Sequence, residues 1–158
     1  MSFIIRRPAG PLKGQLRLDG SKSLSNRALI IQALSREPIL LRALSTSKDT
    51  VTMGRLLQEL EASSTEPFDA GAAGTTFRFM TALLATQPGE QVLTGTERMK
   101  QRPIKILVDA LRQLGAQIDY LEEEGYPPLR IGAPSNLAKK SILTIQGRNV
   151  LTTGIALD

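Results

Sequence analysis

Strand-like and helix-like runs alternate along this chain, and the alternation predicts a mixed α/β (α+β) fold. Two observations carry the reading. Short stretches with apolar residues at every second position give way to longer ones with apolar residues three and four apart. The helical stretches are preceded by glycine turns, small hydroxyl residues, an aspartate or a proline, which are the signals of a helix start.

Each element follows in order. Gln15–Asp19 alternates Leu16 and Leu18 inward with polar neighbours and reads as a strand ending at Gly20. A helix is expected from about Ser23 to Leu34, then a strand at Ile39–Arg42. Asp49 is read as the cap of a helix whose apolar positions Met53, Leu56, Leu57 and Leu60 keep helical spacing. A loop through Pro67 leads to a Gly/Ala turn and a helix at about Thr75–Ala85, followed by a strand at Gln91–Leu93. Pro103 opens a helix to Leu114, which Gly115 stops. Strands are expected at Gln117–Leu121, Leu129–Ile131 and Ile142–Ile145, with Pro127 and Pro128 breaking the chain between the first two. Residues 49–62 and 103–116 also align without gaps, Met53 with Leu107, Leu57 with Leu111 and Leu60 with Leu114. Either the chain repeats a unit, or two amphipathic helices are merely alike.

Three helix entrances carry the chemistry. GSKSLSNR at 20–27 places three serines, Lys22 and Arg27 at the start of an apolar run. Unpaired N–H groups, the helix dipole and two full charges would together receive a phosphate or carboxylate, although capping alone also explains the serines. DAGAAGTTFR at 69–78 repeats the plan, with Gly71 and Gly74 allowing close backbone approach and Arg78 one turn in. TERMKQRP at 96–103 sets Arg98, Lys100 and Arg102 ahead of Pro103.

Composition narrows the ligand. The net charge of +5 sits at helix entrances rather than in a run, which suits a small acidic substrate. Aromatic residues make up only 4% and tryptophan is absent, so no stacking platform for nucleic acid is evident. Without cysteine there is no disulfide, thiolate metal site or cysteine nucleophile, and without histidine the commonest metal ligand and general base is lost. The opening MSFIIRRPAG has too short an apolar run for a signal peptide, and no window approaches a membrane span, so a cytoplasmic protein is expected.

Taken together, GSKSLSNRALI, DAGAAGTTFRF and LTGTERMKQRPIKILVDALRQLGA with YPPLRI resemble the 5-enolpyruvylshikimate-3-phosphate synthase family, the glyphosate target of the shikimate pathway. The resemblance runs from about Leu12 to Gly147. The UDP-N-acetylglucosamine enolpyruvyl transferases share the fold and the phosphoenolpyruvate chemistry, but usually carry a reactive cysteine. A non-catalytic anion-binding module of the same fold is a third reading. The resemblance implies two domains, each of three βαβαββ units. Residues 1–20 would then be a strand segment of the other domain, 21–147 two units of the N-terminal domain, and 148–158 a tail outside the family pattern. Members run to well over twice this length, so a fragment is expected, inactive alone and able to self-associate through its uncovered flank.

By resemblance Lys22, Ser23 and Arg27 bind shikimate 3-phosphate. Lys22, Gly74 and Arg102 match residues at phosphoenolpyruvate, and Arg78 and Lys100 are near-site candidates that could equally be structural charges. The same resemblance implies no metal or cofactor, and places the acid–base residues outside this stretch. Three departures stand out. Ala72 replaces a common asparagine, Phe79 a common proline, and the Ser-Ser-Gln segment expected after Gly147 is replaced by RNVLTTGIALD.

Overall fold

The computed structural model describes residues 13–132 together with Ile4, Gly10 and Pro11. Two helices come first, α1 (Lys22–Leu34) and α2 (Lys48–Glu61). Then follow β1 (Phe68–Asp69), α3 (Gly74–Leu84), β2 (Glu90–Thr94), the short α4 (Glu97–Lys100), α5 (Lys105–Gln113), β3 (Gln117–Tyr120) and β4 (Leu129–Gly132). Residues 68–132 therefore form one βαβαββ unit, interrupted only by α4.

The four strands make one sheet in the order β1-β2-β4-β3. β1 and β2 are parallel, as the α3 crossover requires, while β4 runs antiparallel to both β2 and β3. Leu129 stands opposite Leu93 and Ile131 opposite Ile118. Phe68, Leu93, Ile118, Leu129 and Ile131 all point to one buried face, and Asp69, Asp119 and Arg130 to the exposed one. The helices cover the buried face with Phe77, Met80, Leu84, Ile104 and Val108, and behind them Met53, Leu56, Leu57 and Leu29 complete a single core.

Local signals set the ends of the helices. Ser21 caps α1, its hydroxyl accepting the Leu24 N–H at 3.4 Å. α2 begins at Ser47, whose hydroxyl accepts from the Thr50 N–H, so Asp49 lies inside the first turn rather than at the cap. α2 and α5 end alike. In α5 the Ala116 N–H reaches the Leu111 carbonyl and the Gly115 N–H the Arg112 carbonyl, with Gly115 at φ 102°. In α2 Ser64 and Ser63 make the corresponding bonds to Glu59 and Leu60, with Ser63 at φ 53°. The resemblance between the two helices thus extends to their C-terminal geometry.

Several expectations need correction. Neither Gln15–Asp19 nor Ile39–Arg42 is a strand, and Leu16 and Leu18 are exposed rather than inward. Alternation describes a surface that could pair, but a strand also needs a ladder partner, and among the described residues neither segment has one. Residues 68–132 have the βαβαββ order, while α1 and α2 before them have no accompanying strand among the described residues. Pro103 does not open α5: Ile104 is its N-cap, and the Pro103 carbonyl accepts from Arg78 instead. β1 and α4 are too short for a period to show in the sequence. The expected strand Ile142–Ile145, the tail from Arg148 and, except for Ile4, the segment Phe3–Arg7, which a self-associating fragment could exchange between copies, lie outside the described residues.

Candidate active site

The starts of α1, α2 and α3 are tied together at Asp49. Its carboxylate takes the Lys22 ammonium at 3.0 Å, and its backbone carbonyl accepts the Thr76 hydroxyl at 3.1 Å. Lys22 remains half exposed, so its ammonium is anchored on one side and open on the other.

GSKSLSNR divides by helical face. Ser25 and Asn26 point inward: the Ser25 hydroxyl accepts the Ser45 N–H at 2.9 Å, and Asn26 Oδ1 accepts the Thr50 hydroxyl at 2.8 Å. Asn26 Nδ2 is buried without a partner among the described residues. Gly20 packs so close to the following loop that a Cβ there would lie 2.8 Å from the Ser45 nitrogen. Asp19 clamps the same loop, accepting from the Thr46 N–H at 2.8 Å and the Ser45 hydroxyl at 3.0 Å. Those bonds, the Thr46 N–H first and the Gly20 N–H next, lower its carboxyl pKa from the ordinary value. Lys22, Ser23 and Arg27 are left on the exposed face. There the Arg27 guanidinium already donates to the Ser23 carbonyl and hydroxyl, and lies 5.8 Å from the Phe79 ring centre.

The α3 start differs from the other two. Ala73 is its N-cap and offers no side-chain cap, so the first N–H groups of the helix lack one. Asp69 instead shapes the preceding turn by accepting the Gly71 N–H at 2.8 Å. The Arg102 guanidinium lies directly over Gly74, its Cζ 2.8 Å from where a Cβ would be. Arg78 reaches back over the same turn, donating to the Gly74 carbonyl at 3.3 Å and to the Pro103 carbonyl at 3.1 Å. Burial, and then the like charge of Arg102, lower the Arg78 pKa. Two guanidiniums and an uncapped helix start therefore surround one glycine.

Lys22, Gly74 and Arg102 are thereby linked through Asp49 and α3, with Arg78 among them. Lys100 is engaged elsewhere: it pairs with Glu122 at 2.7 Å and Glu97 at 3.4 Å, and the Glu122 bond first of all raises its pKa. Asp49 as the anchor of Lys22 was not visible in sequence, since 27 residues separate the two. Thr76 could have been singled out, because it lies in the same hydroxyl pair as Thr75.

Comparison with known proteins decides the family. A family model, EPSP synthase (3-phosphoshikimate 1-carboxyvinyltransferase), matches residues 6–147. The chain belongs to the EPSP synthase family. The 3-phosphoshikimate 1-carboxyvinyltransferase of Bacteroides fragilis strain YCH46 is 50% identical over 131 residues, which cover 83% of this chain and 31% of the relative. That of Vibrio vulnificus strain YJ016 is 43% identical over 155 residues, covering 84% and 36%. The chain thus spans about a third of the length of these EPSP synthase relatives. The solved EPSP synthase of Acinetobacter baumannii superposes with a TM-score of 0.68 at 21% identity, over 76% of this chain and 32% of that one, which shows the shared fold. No helix among the described residues is long and apolar enough to cross a membrane.

Proposed function

We propose that this chain contributes part of the substrate site of a cytoplasmic EPSP synthase, in which phosphoenolpyruvate gives its enolpyruvyl group to the 5-hydroxyl of shikimate 3-phosphate. The observation that carries the reading is the meeting of Arg78 and Arg102 at the uncapped α3 start, to which Asp49 ties Lys22 through Thr76, within a chain of this family. In the reaction the methylene carbon of phosphoenolpyruvate gains a proton, and the hydroxyl oxygen adds to the neighbouring carbon as its own proton leaves. Expulsion of phosphate and loss of a methyl proton then restore the double bond. Both substrates bear phosphate and carboxylate, so fixed cations and backbone donors stabilise them without reorganising.

In this reading Ser23 and Arg27 hold shikimate 3-phosphate, and Gly74 and Arg102 hold phosphoenolpyruvate. Lys22 lies between them, its compact charge suited to a leaving phosphate oxygen. A polypeptide of these 158 residues should bind without turning over, because proton transfer needs groups that the resemblance places elsewhere. Titration with shikimate 3-phosphate should move the amide NMR signals of residues 22–27, with a Kd on the order of 1 mM for half a site. Movement of signals far from all three helix starts, with none at 22–27, would exclude the reading.

Self-association belongs to the same proposal. Ile30, Ile31, Leu34, Phe79, Ala82 and Leu83 line an apolar groove of about 330 Å³ between α1 and α3. We place the contact between two copies there. Light scattering should show mass rising with concentration in the unaltered chain but not in Ile31→Glu, whose side chain is more than half exposed.

A further inference from the structure

Asp49 sets a negative charge beside Lys22, in a site read above as a receiver of anions. Two ordinary explanations fall short of this. An acidic residue in the first turn of α2 favours the helix dipole, but the dipole asks for no lysine opposite it. An ion pair whose lysine is half exposed adds little stability by itself.

What distinguishes Asp49 is how firmly its own backbone is placed. Lys22 and Asn26 are four residues apart on α1 and share a face, and that face meets the start of α2 twice. Lys22 reaches Asp49 at 3.0 Å, and one turn further on Asn26 Oδ1 accepts the hydroxyl of Thr50 at 2.8 Å. Asn26 and Thr50 are both buried. From α3, the buried Thr76 donates its hydroxyl to the Asp49 carbonyl at 3.1 Å. The chain at 49–50 is thus fastened to two neighbouring helices. Its carboxylate faces a lysine whose four-carbon stem is otherwise free to turn.

We infer that Asp49 is a positioning residue, which holds the Lys22 ammonium in place for an anion arriving on its open side. The inference rests on the anion-site reading above and adds to it a residue that acts through Lys22. A lysine held beforehand loses less freedom on binding than one that rotates, which favours affinity. The carboxylate also repels the anion, but across the ammonium and so from farther away. These two effects have opposite signs, and a measurement separates them.

The test uses this chain with inorganic phosphate as probe at constant ionic strength. In ligand-free protein, NMR relaxation of the Lys22 Cε–H signals, assigned as those lost in Lys22→Ala, should show wider motion in Asp49→Asn. Phosphate affinity should fall on the order of fivefold in Asp49→Asn, as expected when one long side chain must be ordered on binding. Repulsion alone predicts tighter binding, so an unchanged or higher affinity overturns the inference. In the Lys22→Ala background, with no ammonium to hold, the same asparagine should not weaken binding. An equal loss in both backgrounds overturns the inference, since the effect then does not pass through Lys22. So does a Lys22 side chain that moves no more in Asp49→Asn than before. Should Asp49→Asn unfold the chain, Asp49→Glu keeps the charge in the first turn and displaces the carboxylate by a methylene. Wider Lys22 motion in that variant supports the inference, and unchanged motion overturns it. If the unaltered chain binds no phosphate, the anion-site reading fails, while the motion of Lys22 still decides whether Asp49 holds it.

Discussion

Gly20, Gly74 and Gly95 are alike in sequence but not in what they permit. Next to backbone nothing can give way, and next to the end of an arginine the neighbour can rotate. Gly95→Ala should therefore destabilise the chain by about 1–3 kcal/mol, because its methyl would overlap the Gly71 carbonyl and Met99. Chemical denaturation of Gly95→Ala beside Gly74→Ala checks this, and equal stabilities would refute the distinction. Asp19 offers a second residue-scale test. Its folded pKa lies below that of the unfolded chain, so its clamp on Ser45 and Thr46 is fully present above the ordinary aspartate value of about 3.9. The contribution is lost as pH falls through the lowered folded value. Protection of the Thr46 amide from hydrogen exchange should thus hold at neutral pH and decline on the acid side of that value. In Asp19→Asn the decline should vanish, since no charge remains to titrate.

At the scale of elements, the chain ends two helices with one motif but equips only one of them with glycine. Gly115 occupies the left-handed position after α5 at no steric cost, whereas Ser63 holds φ 53° after α2 with a side chain in place. Ser63→Gly should stabilise the protein by about 0.5–1 kcal/mol, despite the added freedom of the unfolded chain. A lower thermal midpoint in that variant would show that Ser63 has a role its backbone angle does not reveal. The starts of the helices differ as well. α1 and α2 spend a serine on their own N–H groups, while α3 has alanine there, which leaves donors for something outside the helix.

For the molecule as a whole, stability comes from the single face on which sheet and helices meet. Leu93 is fully buried on that face, opposite Leu129. Leu93→Ala should cost about 2–5 kcal/mol, the range of buried leucine truncations. Such a loss could unfold a chain of this size, whose total stability is about 5–15 kcal/mol. Urea unfolding measures it directly, and a loss below about 1 kcal/mol would mean that the core closes over the gap. Beyond that face the coverage thins: Ile31, Leu34 and Leu40 are largely exposed on the α1 side, where no strand accompanies the helices among the described residues.

The sequence alone determined what depends on near neighbours. Helical spacing located α1, α2, α3 and α5 to within two residues or so, because burial of one stripe repeats every turn. Alternation located β2, β3 and β4. Tertiary structure alone decided which alternating segments become strands, since pairing needs a partner brought from elsewhere in the chain: Leu129 has Leu93, and Leu16 has none among the described residues. It also decided which charges meet. Lys22 finds Asp49, Lys100 finds Glu122, and Arg102 settles on Gly74, each across 22 or more residues. Distances of that kind are set by how helices pack on a sheet, and no local pattern encodes them.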